Sequence, residues 1–106
     1  MSFVYLGAVD INGHVGGVDA AYHASVRATD ERVARLVAAV RSRPSYSDED
    51  WRIVVVTDHG HLDEGGHGGR EPEVITAWAC VSGFTGGAVT SQRDIAPLVL
   101  AAVGLG

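Results

Sequence analysis

The chain has no lysine. All eight basic residues are arginine, set against 13 acids, and the formal net charge is -5. No basic patch is visible that could neutralise phosphates, which argues against a nucleic-acid partner. The only cysteine is Cys80, so an internal disulfide is excluded and the sequence carries no mark of an oxidising compartment. Long apolar runs are missing too: no stretch could span a bilayer, and no charged leader precedes an apolar segment. The expected setting is soluble and cytoplasmic, without a membrane partner. What remains is ordinary globular material, 46% hydrophobic and 20% charged over 106 residues, enough for a single domain spanning 1–106 with one modest core.

Hydrophobic patterning suggests the order of elements. Residues 3–9 form an apolar run of strand length ending at Asp10, followed by a glycine-bearing loop over 11–17. From 18 to 43 the period becomes helical: Tyr22, Val26, Val33, Leu36, Val37 and Val40 recur at spacings of three or four. Asp19 is a suitable N-cap and Pro44 a stop. An acidic link over 45–50 leads to a second strand at 51–56, whose apolar run does not alternate and so predicts burial on both faces, as in a parallel sheet. Strand, helix and strand together make a right-handed βαβ unit. A third strand is expected at 74–81 with Cys80 as a small core residue, a turn at 82–87, and a last helix from Asp94 with Pro97 in its first turn and Gly104 as its end. The expected class is α/β, a parallel-rich sheet with flanking helices. A sheet buried on both faces needs more helix than this chain offers, so it reads as one half of something larger or as a subunit covered by a partner.

The stretch that stands out is 57–69, Thr-Asp-His-Gly-His-Leu-Asp-Glu-Gly-Gly-His-Gly-Gly, directly after the apolar run Ile53-Val54-Val55-Val56. So many glycines are costly in a helix or strand but serve a loop that bends around an ion. Imidazole and carboxylate are the ligands that suit zinc and similar divalent metals. Asp10 and Asp58 are each placed at the carboxyl edge of a strand, where ligands bind in open parallel sheets. Neighbouring strands lie roughly 4.8 Å apart, so those carboxylates could serve two ions about 3.5–4 Å apart. His14 follows Asp10 by four with Gly13 between to let the chain fold back, His59 follows Asp58, and His67 lies beyond a glycine hinge. Crowded carboxylates without a cation would repel.

In order along the chain, Asp10-Ile11-Asn12-Gly13-His14, Tyr22, Asp30, Thr57-Asp58-His59-Gly60, His67-Gly68-Gly69 and the tail from Asp94-Ile95-Ala96-Pro97 resemble the C-terminal half of the alkaline phosphatase superfamily. The type I phosphodiesterase/nucleotide pyrophosphatase branch is the most similar. The resemblance covers nearly the whole chain and implies an alkaline-phosphatase-like core, present in part. It implies two divalent ions, usually zinc, with Asp10, His14 and His67 holding the first and Asp58 and His59 belonging to the second. It implies a phosphate-ester small molecule as substrate. In the family an Asp and a Ser or Thr nucleophile from the N-terminal half complete the second ion, and this sequence has no stretch matching either. No catalytic residue is therefore assigned. The hydroxyl of Thr57, as a strand-end residue, should point away from Asp58. The expected function is a metal-dependent phosphoric ester hydrolase or its C-terminal portion, with an N-terminal half or a second copy covering the sheet. The alternatives are a non-catalytic metal-binding or assembly domain, and a plain interaction module. His61, Asp63 and Glu64 read as solvated loop residues, His23 as a surface position, and Trp51 and Trp78 as core or edge anchors.

Overall fold

In the computed structural model, residues 1–85 and 88–105 are described. The elements are α1 (Ala8–Gly16), α2 (Ala20–Arg41), β1 (Ile53–Val56), the short α3 (Pro72–Ile75), β2 (Ala79–Ser82) and α4 (Ile95–Ala102), with 3-10 turns at Tyr46–Asp48 and Gln92–Asp94.

The expected parallel-rich sheet is not there. Among the described residues the sheet has two strands, β1 and β2, paired antiparallel with Ile53 opposite Ser82 and Val56 opposite Ala79. The βαβ unit fails because its first strand fails. Residues 3–6 are neither helix nor strand, and the chain enters α1 at Ala8. A strand needs a neighbour to satisfy its backbone groups, whereas a helix closes its hydrogen bonds within itself. Asp10 thus lies in the first turn of α1, where the helix dipole favours a carboxylate, with His14 in the last turn. Gly13 is no hinge, since it sits inside the helix.

The long helix matches its pattern closely. The Asp19 carboxylate accepts the Tyr22 amide at 2.9 Å and caps α2, which ends at Arg41, before Pro44. The expected strand at 74–81 splits in two: Pro72 starts the α3 turn, and the strand proper begins only at Ala79. Cys80 lies exposed on that strand rather than in a core. The turn expected at 82–87 includes Gly83 at φ 80, while Gly86 and Gly87 lie outside the described residues. Ser91 and Asp94 form a reciprocal capping box leading into α4, and Gly104 follows that helix at φ 74. No helix among the described residues is long and apolar enough to cross a membrane.

The interior is thin. Among the described residues Val74 is the only buried hydrophobic one, while Phe3, Tyr5, Val15, Ile75 and Trp78 are all exposed. The surface is 7734 Å², about 2,000 Å² more than the roughly 5,700 Å² of a folded monomer of 11.1 kDa. The radius of gyration is 15.8 Å, against about 13 Å for a domain of this length. Exposed apolar side chains are part of that surface.

Candidate metal centre

The polar interior is better organised than the apolar one. α1 and α2 meet at a tight turn through Gly17, whose φ of 70 and whose contact with the Asp63 carbonyl leave no room for a side chain. The Val18 amide donates to that same Asp63 carbonyl at 3.1 Å, tying the 57–69 loop to the helix junction. On the other side, the Gly60 amide donates to the Val74 carbonyl at 2.9 Å, fastening the loop to α3. The loop closes on itself through Leu62 N–H to Gly66 O at 3.0 Å.

This scaffold carries four imidazoles to one carboxylate oxygen. Asp10 Oδ1 lies 3.2 Å from Nε2 of His61, 3.5 Å from that of His14, 3.6 Å from that of His67 and 3.8 Å from that of His59. Asp10 and His14 share a face of α1 because they are four residues apart. Among the described residues, two ligand groups share Asp10: one with His14 and His67, the other with His59 and His61.

Hydrogen bonding does not explain this arrangement. Only the His61 contact is short enough for an ordinary hydrogen bond to the carboxylate; the other three are too long. His14 Nε2 and His67 Nε2 lie 2.9 Å apart, which without an ion needs one ring to donate and the other to accept. Nitrogen and oxygen ligands about 2.0–2.1 Å from a tetrahedral ion stand about 3.3–3.4 Å from one another. The contacts around Asp10 straddle that value. Asp/His groups that could hold a metal ion are therefore present.

Asp10, His14, His59 and His67 converge, though through a helix and a loop rather than two strand tips. Asp58 stands apart. Its side chain is 86% exposed, and its nearest ligand-type neighbour is His59 Nε2 at 3.7 Å. Its backbone carbonyl accepts a hydrogen bond from the Gln92 amide nitrogen. The Thr57 hydroxyl accepts the Trp78 amide at 3.1 Å, so it ties the end of β1 to the start of β2. Glu64 and Asp63 are exposed, as is Asp30 on α2.

His61, read as a solvated loop residue, is the most enclosed member of the cluster, with a side chain 3% exposed. Its ring rests on Gly13, where a Cβ would come within 2.6 Å of its Cε1 and Nδ1. Tyr22 flanks it edge-on, ring centroids 5.8 Å apart. The signals that could have found it were a second imidazole two residues after His59 and a glycine in an otherwise helical segment.

No protein-family model, curated protein or solved structure matches this chain.

Proposed function

We propose that this chain is the metal-binding portion of a metal-dependent phosphoric ester hydrolase, similar to phosphodiesterases and nucleotide pyrophosphatases, using two zinc ions. The observation that carries the metal half of this reading is the ring of imidazole nitrogens 3.2–3.8 Å from Asp10 Oδ1. A nitrogen-rich set of this kind favours zinc over magnesium or calcium, which take oxygen ligands. The phosphate-ester half rests on the motif order from Asp10 to His67 and on the open mouth of the cluster, where the His14 side chain is 50% exposed. Asp10, His14 and His67 hold one ion, and His59 serves the second. Bound zinc supplies Lewis-acid stabilisation of charge on the phosphoryl oxygens. The chain's own residues position the ions, and the nucleophile comes from an N-terminal half that also covers the unpacked apolar surface.

A second reading is favoured by one observation. The hydroxyl nearest the motif, on Thr57, is engaged by the Trp78 amide, which suits a non-catalytic metal-binding or assembly domain. Two measurements separate the readings. Protein purified without a histidine tag should carry about one to two zinc equivalents under both, and failure to bind offered zinc removes both. Zinc-dependent hydrolysis of a chromogenic phosphodiester, lost on Asp10→Ala, supports the hydrolase. The chain alone is expected to turn over weakly or not at all, and it should gain activity when an N-terminal half is supplied.

A further inference from the structure

The geometry points to His61 as a metal ligand, holding the second ion with His59 and a shared Asp10 carboxylate, without need of Asp58. This rests on the metal-binding part of the reading above and not on hydrolysis.

The first support is enclosure. The His61 ring is buried, its Nε2 faces Asp10 Oδ1 at 3.2 Å, and its Nδ1 has no hydrogen-bond partner. The support lies in Nε2, which this enclosure holds aimed at the Asp10 carboxylate; Nδ1 lies on the Gly13 side of the ring and is not the ligating atom. Any residue with a side chain at position 13 would collide with the ring, so α1 carries a helix-interior glycine, at a cost of roughly 1 kcal/mol relative to alanine. That cradle is built for an imidazole.

The second support is how the rings divide. Imidazoles on one tetrahedral ion, bound at about 2.0–2.1 Å, have ring centroids about 5 Å apart. Most pairs fit: His14–His67 at 4.7 Å, His61–His67 at 5.2 Å, His59–His61 at 5.4 Å. His59 and His67 do not, because they stack at 3.7 Å with only 20° between their planes. Side-by-side rings point to two adjacent positions, so His59 and His67 belong to different ions. His14 goes with His67, and His61 goes with His59, each pair completed by Asp10. One carboxylate oxygen about 2.1 Å from each of two ions keeps them within about 4 Å, the spacing of two-metal sites. Asp58, on the open side, lies outside both groups.

Cobalt(II) is a suitable probe, titrated into the full chain and followed by visible absorption and by metal content after gel filtration. The wild type and Asp58→Asn should each take up two equivalents, and His61→Gln and Gly13→Ala one, with helical circular dichroism unchanged. A folded His61→Gln chain that keeps both equivalents, or an Asp58→Asn chain reduced to one, overturns the assignment. Should the variants fail to fold, the wild type still decides. Zinc added to protein labelled with nitrogen-15 at the histidine rings should shift the His61 Nε2 resonance, and an unmoved resonance at saturation overturns the proposal. A wild type that binds no metal removes the functional reading as well; one equivalent held without His61 removes only this inference.

Discussion

Two regions of this molecule are assembled on opposite terms. Around Asp10, the α1–α2 junction and the 57–69 loop interlock through backbone hydrogen bonds, and side chains of high solvation cost are drawn inward. At the β1–β2 pair the reverse holds: every residue of β2 is exposed, and Trp78 beside it is 58% exposed. Apolar surface left in water contributes none of the roughly 25 cal/mol per Å² that burial would bring. Polar groups gathered without water need partners. The contrast teaches that the two regions solve different problems: the first gathers ligand-type side chains that could hold a cation, and the second presents apolar side chains to solvent.

The largest test of that contrast is removal of its hub. Asp10→Ala takes away the oxygen common to both ligand groups, and metal affinity is expected to fall by on the order of 100-fold or more, measured against a chromophoric chelator. Retained affinity would mean the histidines do not act around Asp10. Next, chelator treatment should lower the melting temperature, because an ion that binds only the folded chain stabilises it by about 2.7 kcal/mol at a hundred times its dissociation constant. Protection from acid should be lost in parallel, since protons compete for the ligating imidazoles.

Smaller effects probe what little conventional packing there is. Val74→Ala removes the one buried aliphatic among the described residues and should cost on the order of 2 kcal/mol in denaturant unfolding of the metal-free chain. Asp19→Ala deletes the α2 cap and should cost about 1 kcal/mol, read from the same curves. The smallest effect is electrostatic. Hydrogen bonds from Arg43, Ser45 and Trp51 hold the Glu49 carboxyl down to about 2. A depressed carboxyl favours the folded state at neutral pH, and that contribution fades as pH falls from its ordinary value of 4.5 towards 2. Glu49→Gln should therefore flatten the acid limb only slightly, because the group is partly exposed and its interactions are screened by solvent.

Local signals in the sequence carried local structure well. The α2 cap at Asp19, the stop before Pro44, the end of β1 at Val56 and the α4 terminus all follow from residues within a turn of the feature, whereas β1 begins at Ile53 rather than at the expected 51. The sheet did not follow, because strand pairing depends on partners distant in sequence, and an apolar run such as 3–9 does not say whether it has one. Asp10, His14, His59 and His67 were legible as ligand types, yet the reason for the Asp10 to His14 spacing was a helix face rather than a folded-back loop. His61 was hidden by composition: among glycines and acids it looked like a solvated residue, and only the bare Cα of Gly13 shows where its ring goes.

The ligand set is split between position 10 and positions 59–67, so an ion bound there would act as a rivet through two parts of the chain nearly fifty residues apart. Withdrawing it should make the loop an easy target for limited proteolysis while α2 stays resistant. Availability of the metal, more than heat, would then govern how long such a chain survives.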